Sequence, residues 1–299
     1  MAGCYLKLKI RKIKTRYWRP GTSVIDEILS NIDGKISDGA YLVISEKALA
    51  TSFGLVVDES KVKPGIVANA IANIWMRRIW GGPLGRITSL KQKTITNLRN
   101  YPLDYGARHK QLALRKVGLL QALRHYSEGG IDASNLPYSL VSLPLIEPEK
   151  IAYNIREEIL RRKGLTVNII IADGDSTFSW RNLHIAPRRV QTPGFIHFGG
   201  FFSYILGRLF NLRERPTPVA YVGEPLNPDR MLWFTKIAHK TSERGGGRTA
   251  WGMSTRFSTG LTDVSYKMLD SVEHTPIIII RLDEEFRKVS RPEHKIDQV

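Results

Sequence analysis

A helix that runs directly into a buried strand, in residues 147–172, constrains the fold of this chain more than any other pattern. In "EPEKIAYNIREEILRRKG", Ile151, Ile155 and Ile159 form one apolar stripe at helical spacing, and Gly164 is placed to end the helix. The following "LTVNIIIA" is typical of a strand that is buried in a sheet. This unit favours a mixed α/β fold, in which ligands usually bind at the carboxyl edge of the strands.

The rest of the chain predicts more strands and helices, with no internal repeat, low-complexity linker or clear domain boundary. Strands are predicted in "YLKLKIRKIK", in two short runs of "ISDGAYLVISEKALATSFGLVVDES" with a polar interruption between them, and in "YSLVSLPL", "TPVAYVG" and "TPIIIIRL". Helices are predicted in "SVIDEILSNI", "VANAIANIWMRRIW", "HKQLALRKVGLLQALRHY", "GGFFSYILGRLFNL" and "PDRMLWFTKIAHKTSE". We expect one domain over residues 1–299, of mixed α/β (α+β) class, built as one interwoven two-lobed unit with mixed sheets.

The net charge of +17 is unevenly distributed. Residues 1–20 have no acidic side chain, and residues 76–126 contain 11 basic side chains against Asp104 alone. Such a field attracts polyanions, which could be nucleic acid, a nucleotide triphosphate or a phosphate-bearing substrate. Trp80 and Tyr101 are available for base stacking in the nucleic-acid interpretation. A solvated surface of the kind found in heat-adapted proteins explains the charge equally well, so charge alone selects no partner.

Several classes of protein are excluded or disfavoured. The single cysteine, Cys4, rules out an internal disulfide framework and a cysteine-rich zinc module. No apolar run approaches the roughly 20 residues that cross a bilayer, so we expect a cytoplasmic protein without a membrane partner. The sequence has no H-E-x-x-H, no G-x-S-x-G and no Walker A spacing. The histidines are scattered without the spacing of metal ligands.

Three polar motifs remain as candidate site residues. "GGIDASN" contains Asp132, Ser134 and Asn135; "ADGDSTF" contains Asp173, Asp175 and Ser176; "VISEKA" contains Ser45 and Lys47. Carboxylates beside hydroxyls match the oxygen ligands that Mg²⁺ or Mn²⁺ prefers, and a lysine just past a strand could neutralise phosphate. Taken singly, an Asp-x-Asp pair is more often a turn or a helix cap, and an isolated lysine is more often surface. The Gly-rich "RGGGRTAWG" could hold an anion with its backbone N–H groups, or form a flexible loop.

In their order along the chain, these motifs resemble those of the coenzyme F-420-0:L-glutamate ligase family, the gamma-glutamyl ligases of deazaflavin coenzyme biosynthesis. "GGIDASNLP" is similar to the G-V-D-x-S-N signature of that family, and "SDGAYLVISEKALATSFGLVV" resembles its G-D-x-L-V-V-T-x-K segment. "IKTRYWRPG" resembles the opening strand and turn, and "IIIADGDSTF" stands where the family has a strand ending in aspartate. The resemblance is greatest to a divergent archaeal branch. It implies the F-420 ligase-like fold and a homodimer.

The resemblance also implies a chemistry. Family members use GTP and Mg²⁺ or Mn²⁺ to activate a carboxylate as an acyl phosphate, which the amine of L-glutamate attacks to form an amide. By carry-over, the catalytic residues are Lys47 and Asp132, the nucleotide-binding residues are Ser45, Lys47, Ser134 and Asn135, and the metal ligands are Asp132, Asp173, Asp175 and Ser176. The acceptor would be a phosphate-bearing carboxylate, such as the F-420 precursor. The glycines beside Asp132 would let the backbone approach phosphates.

The chain departs from the family pattern at three residues and in one insertion. Gly174 replaces a hydroxyl residue after the strand-end aspartate, and Ala50 and Phe53 replace polar residues. A basic insertion around residues 81–117 has no clear counterpart in the better-known enzymes. Two alternatives to a ligase therefore stay open: a basic nucleic-acid-binding module, and a catalytically silent scaffold on the same fold.

Overall fold

A mixed β-sheet forms the centre of the molecule in the computed structural model, which describes residues 8–126, 128–190, 192–242 and 245–282. The strands are β1 Leu8–Thr15, β2 Tyr41–Ser45, β3 Val56–Asp58, β4 Leu140–Ser142, β5 Asn168–Trp180, β6 Leu183–Ile185, β7 Arg213–Val222 and β8 His274–Leu282. In the main sheet the order is β1-β8-β2-β5-β6, and β7 also pairs with β5. Only the β2–β5 pair is parallel among the pairs described, and β3 and β4 form a separate antiparallel pair. The predicted mixed α/β class is confirmed. Cys4 lies outside the described residues.

The helices lie on both faces of the sheet and in a separate helical segment. They are α1 Val24–Ile32, α2 Glu46–Ser52, α3 Ile66–Ala70, α4 Pro83–Ile87, α5 Gln92–Arg99, α6 Leu103–Lys116, α7 Leu119–Ala122, α8 Pro148–Lys163, α9 Gly200–Leu209, α10 Pro228–Thr241, α11 Ala250–Phe257 and α12 Tyr266–Asp270. A π-helix, Ile71–Trp80, continues α3, and a 3₁₀ turn spans Glu59–Lys61. No helix in the described ranges is long and apolar enough to cross a membrane.

Alternation along the central strands builds two cores. In β5, Ile169 and Ile171 pack with α1 and α8 on one face, whereas Ile170 packs with α10 on the other. Successive strand residues point to opposite faces, so a run of isoleucines fits a strand that is covered on both. The most strongly predicted unit is therefore confirmed: α8 is followed by buried β5, and Gly164 ends α8 with a left-handed φ of +66°.

The basic segment has its own apolar core and is mostly helical. The stretch between Trp80 and residue 109, for which no helix was predicted, forms α4, α5 and the first half of α6. The predicted helix over residues 109–126 is interrupted at Gly118, whose φ is +86°. Trp80 is fully buried and Tyr101 is only 4% exposed, so the prediction that their rings lie at the surface for stacking with nucleic-acid bases is wrong. Both rings are used in the core that joins these helices.

Two predicted boundaries around the site are also wrong. The polar interruption after β2 is the helix α2, which begins at Glu46. The strand that we expected to end near Ala172 continues to Trp180, and a β-bulge between Asp173 and Ser176 shifts its register against β7. A bulge re-aims side chains without ending the pairing, so the aspartates lie within the strand and not in a loop beyond it.

Candidate active site

A polar pocket of about 410 Å³ lies where β2, the bulge of β5 and the loop of residues 129–135 meet. We call this loop, which has the sequence "GGIDASN", the Asp132 loop. Seven of the eight predicted site residues line it: Ser45, Lys47, Asp132, Ser134, Asn135, Asp173 and Asp175. Ser176 does not line this pocket, because it lies past the bulge, where it pairs with Pro216 of β7. Residues far apart along the chain thus converge in one cavity.

Lys47 is the cation that faces the Asp132 loop. It lies in the first turn of α2, which Ser45 caps by accepting a hydrogen bond from the Ala48 N–H at 3.5 Å. Its Nζ donates to Asp132 Oδ2 at 2.8 Å and to Ser134 Oγ at 2.6 Å. The side chain is 24% exposed, so it is held in place while it remains accessible to a ligand.

Local bonds fix the shape of the Asp132 loop. Asp132 Oδ1 accepts from the Ser134 N–H at 2.7 Å, which is an Asx-type turn, and the backbone of Asp132 pairs with Ser142. Gly130 has a φ of +98°, and a Cβ there would lie 2.6 Å from Nη1 of Arg188. This glycine therefore makes room for a guanidinium group. From the sequence, we had expected the glycines beside Asp132 only to let the backbone approach phosphates.

Asn135 fastens the Gly-rich loop to the Asp132 loop. Its Oδ1 accepts from the N–H groups of Gly246 at 2.6 Å and Gly247 at 3.3 Å, and its Nδ2 donates to the Gly247 carbonyl at 2.9 Å. Its own backbone is left-handed, with a φ of +55°, a conformation that asparagine tolerates. The described part of the Gly-rich loop is thus ordered by a side chain. The contact between Asn135 and a nucleotide stays a prediction.

The two aspartates of β5 are each paired with an arginine. Asp173 Oδ2 accepts from Arg188 Nη1 at 2.8 Å, and the same guanidinium binds Glu46, whose Oε1 accepts from Arg188 Nη2 at 2.9 Å. Asp175 Oδ2 accepts from Arg124 Nη1 at 3.1 Å, and both of those side chains are 2% exposed. Burial lowers the pKa of Arg188, but Glu46 and Asp173 reverse this and hold it above its ordinary value.

The other charged side chains that line the pocket are Arg248, Glu273 and Lys47, which pairs with Asp132. Arg248 lines the pocket beside the Gly-rich loop. His274 also lines it, but burial lowers its pKa to about 4, so its ring is neutral at pH 7. Its Nδ1 is 3.0 Å from the Thr15 hydroxyl and 2.9 Å from the Arg16 carbonyl oxygen, which holds the ring in place.

The donor set fits a divalent cation only together with ligand oxygens. Within the described residues, no group of three or more His, Cys, Asp or Glu side chains is arranged to hold a metal ion. Asp175 is buried against Arg124, which leaves Asp132 and Asp173 as the carboxylates best placed for a cation. Mg²⁺ is commonly held by one or two carboxylates plus substrate phosphates, so a cation at this site would need phosphate oxygens as further ligands. It would also compete with Lys47 for Asp132 and with Arg188 for Asp173.

Sequence reasoning missed four charged residues of the site. Glu46 and Arg248 lie within the quoted motifs "VISEKA" and "RGGGRTAWG" but were not chosen as site residues, and Arg124 and Arg188 belong to no motif that we could name. Glu46 is adjacent to Lys47 but binds different partners: it pairs with Arg188, and its Oε1 accepts from the Leu145 N–H at 3.0 Å. A buried glutamate at the start of a helix is not distinguishable in sequence from a surface one, so no signal pointed to this network.

The fold and the polar pocket define an α/β protein with a candidate ligand site at the edge of a mixed sheet. A family model described as F420-0:Gamma-glutamyl ligase matches residues 12–187, more than half of the chain, and the chain belongs to this family. It is also similar to Uncharacterized protein MJ1361 of Methanocaldococcus jannaschii, with 31% identity over 294 residues, which cover 93% of this chain and 98% of that protein. The resemblance seen in the motifs is confirmed. Family membership indicates a ligase of the gamma-glutamyl type in coenzyme F-420 biosynthesis.

Proposed function

We propose that this chain is a GTP-dependent gamma-glutamyl ligase that adds L-glutamate to a phosphate-bearing carboxylate, the F-420 precursor being the first candidate, in the cytoplasm. The supporting observation is the convergence of Lys47, Asp132 and Ser134 with Asp173 in one polar pocket. A positioned lysine and hydroxyl beside carboxylates suit phosphoryl transfer, where catalysis consists mainly of positioning and charge stabilisation.

The reaction has two steps. A carboxylate oxygen of the acceptor attacks the γ-phosphorus of GTP, the bond from that phosphorus to the bridging oxygen breaks, and GDP leaves. The amine nitrogen of L-glutamate then attacks the acyl carbon, and phosphate and a proton are released as the amide forms. Lys47 would neutralise the phosphoryl group, while Ser134 and the Gly-rich loop would orient the phosphates.

Asp132 and Asp173 are the residues that would hold a Mg²⁺ or Mn²⁺ ion entering with the nucleotide. Such an ion, when bound, would spread the charge of the transferring phosphoryl group. Ser45 contributes by capping α2 and so by fixing the direction of Lys47.

The test is a reconstituted reaction. Protein is mixed with GTP, Mn²⁺, L-glutamate and the F-420 precursor, and phosphate release and the mass of the acceptor are measured. We expect a gain of one glutamyl residue, and a fall in kcat/KM of about 100- to 1,000-fold for Lys47→Met, the size expected when one charge-stabilising donor is lost. Lys150→Met is the matched control, because Lys150 is 69% exposed on α8 and lines no part of the pocket. No phosphate release and no mass gain by the unmodified protein would refute the proposal.

The nucleic-acid alternative is weakened by the burial of Trp80 and Tyr101. Several basic side chains of the segment are also tied to backbone carbonyl oxygens, such as Arg77 to Tyr101 and Arg99 to Gly81, each at 2.7 Å. A silent scaffold would show neither turnover nor metal-dependent nucleotide binding, so the same reaction mixture distinguishes it.

We also propose a homodimer. The exposed side chains of Phe202, Leu206 and Leu209 lie at i, i+4 and i+7 of α9 and form an apolar strip. Contiguous apolar surface of this kind is typical of protein–protein contacts.

A further inference from the structure

A second cavity, of about 170 Å³, adjoins the polar pocket, and we call it the aromatic chamber. Its walls contain five aromatic side chains: Tyr101, Tyr105, Tyr126, Tyr138 and Trp251. Both cavities are lined by Ile131, Asp132, Ser134 and Arg248. A ligand that is anchored by its charged end in the polar pocket can therefore extend into the aromatic chamber.

The rings are placed by the basic helical segment and by α11. Tyr105 and His109 lie at i and i+4 of α6 and so share one face of that helix. Gly106 lets the Tyr101 ring pack against the helix, because a Cβ at this position would lie 2.1 Å from the ring. On the other side, the Trp251 ring lies 5.4 Å from that of Tyr126, between centroids.

A charge-balanced cluster lies behind the rings. His109 binds Glu59 through Nδ1 at 2.6 Å and Glu128 through Nε2 at 3.1 Å, and Lys110 Nζ binds Glu128 on its other oxygen. Burial lowers the pKa of His109, but the two carboxylates more than reverse this and raise it to about 10. Burial also lowers the pKa of Lys110, and its ion pair with Glu128 opposes that shift. With His109 and Lys110 both protonated, two cations face two anions.

The charge balance of this cluster determines which kind of ligand group suits the aromatic chamber. The carboxylates of Glu59 and Glu128 are already bound by His109 and Lys110, so they are not available to an ammonium group. An anionic group would find its opposite charge at Lys47 and Arg248 in the polar pocket instead. An uncharged planar ring therefore suits this chamber, because its walls are aromatic and the charges behind the walls balance.

The size is sufficient for such a ring. A dry protein cavity of about 150 Å³ holds benzene. The aromatic chamber exceeds this, and the exposure of Tyr105 (42%) and Tyr138 (54%) gives it an outer opening for a fused ring system.

We infer that the aromatic chamber binds a planar, uncharged ring system that belongs to a ligand whose phosphate end occupies the polar pocket. This deepens the proposed function, on which it rests. The ring has two possible sources, the base of the nucleotide and a ring of the acceptor. The basic segment then has a role in ligand selection, which the charge of its surface did not reveal.

The test compares three probes by calorimetric titration with Mg²⁺ present: inorganic triphosphate, GTP and flavin mononucleotide. The variant is Tyr105→Leu, whose partly exposed position favours folding. The matched control is Tyr153→Leu, because Tyr153 is 52% exposed on α8 and lines neither cavity. The unmodified protein is titrated alongside.

We expect Tyr105→Leu to weaken the binding of at least one ring-bearing probe about tenfold, as the loss of one stacking side chain does, and to leave triphosphate binding unchanged. An effect on GTP identifies the nucleobase, and an effect on flavin mononucleotide alone identifies the acceptor. The inference is overturned if Tyr105→Leu binds every probe as tightly as the unmodified protein does. It is also overturned if Tyr105→Leu loses as much affinity for triphosphate as for the ring-bearing probes. Binding is measured without turnover, so a protein that binds rings but forms no amide would refute the ligase proposal alone. Binding of no probe refutes both.

Discussion

Arg188 is the residue whose removal tests the buried charge network most directly. Its side chain is 7% exposed, and its guanidinium pairs with the side chains of Glu46, 3% exposed, and Asp173, 13% exposed. Replacement by methionine keeps most of the apolar volume but leaves two carboxylates without their cation. Removing one partner of a buried ion pair typically costs about 3–5 kcal/mol of unfolding free energy, and we expect Arg188→Met to fall in that range near neutral pH.

The pH dependence follows from Glu46. Burial raises its pKa, and Arg188 is the main group that opposes this shift. Without Arg188 the pKa of Glu46 rises further, so the folded variant holds a proton that the unfolded chain releases. A group with a raised pKa stabilises the fold most at low pH and loses that contribution as pH rises. The deficit of Arg188→Met should therefore be smaller at about pH 5 than at about pH 8.

Urea unfolding at both pH values, followed by circular dichroism, measures these differences. The double variant Arg188→Met/Glu46→Gln should recover much of the loss, because glutamine can still accept from the Leu145 N–H without a charge. Arg161→Met is the matched control, since Arg161 pairs with Glu158 in solvent, and we expect little change. A loss below about 1 kcal/mol for Arg188→Met, independent of pH and not relieved by Glu46→Gln, would show that the network is not buried as described.

Two further changes are predicted from local geometry. Gly130→Ala should lose about 1–3 kcal/mol more unfolding free energy than Gly21→Ala, as measured by urea unfolding. Both glycines have positive φ, +98° and +85°, but only at Gly130 would the Cβ meet Arg188. Equal losses would contradict the close approach of Arg188. Phe202→Glu, on the apolar strip of α9, should convert a dimer of the unmodified protein to a monomer in light scattering, whereas a monomeric unmodified protein would refute the dimer.

The parts of the fold that follow from local pattern were predictable. The isoleucine spacing of α8 and the apolar run of β5 specify their own burial, and Lys47 and Asp132 were identified because their motifs match a family signature. The arginine partners were not predictable, because a guanidinium on a long side chain finds its carboxylate through the tertiary fold. Arg188 is 142 residues from Glu46 along the chain, and no local pattern links them.

The basic segment shows the complementary failure. Its charge suggested an exposed surface, and its buried rings were assigned to that surface. The apolar residues of the π-helix, among them Met76 and Trp80, already indicated a helix with a buried side.

The bulge in β5 was not predicted for another reason. Gly174 was interpreted as the loss of a hydroxyl residue, whereas it lies where the strand pairing shifts register.

Asp132 and Asn135 belong to one short turn, and that turn has two attachments. At one end Asp132 binds Lys47, and at the other Asn135 binds the backbone of Gly246 and Gly247. A ligand that draws Lys47 away from Asp132 alters the same turn that holds the Gly-rich loop. If the two attachments are coupled, thermodynamic reciprocity requires that release of the Gly-rich loop change the equilibrium constant of the Lys47–Asp132 contact by the same factor as loss of that contact changes the equilibrium of loop release. Opening of the loop and binding of a ligand's charge by Lys47 would then be one linked equilibrium.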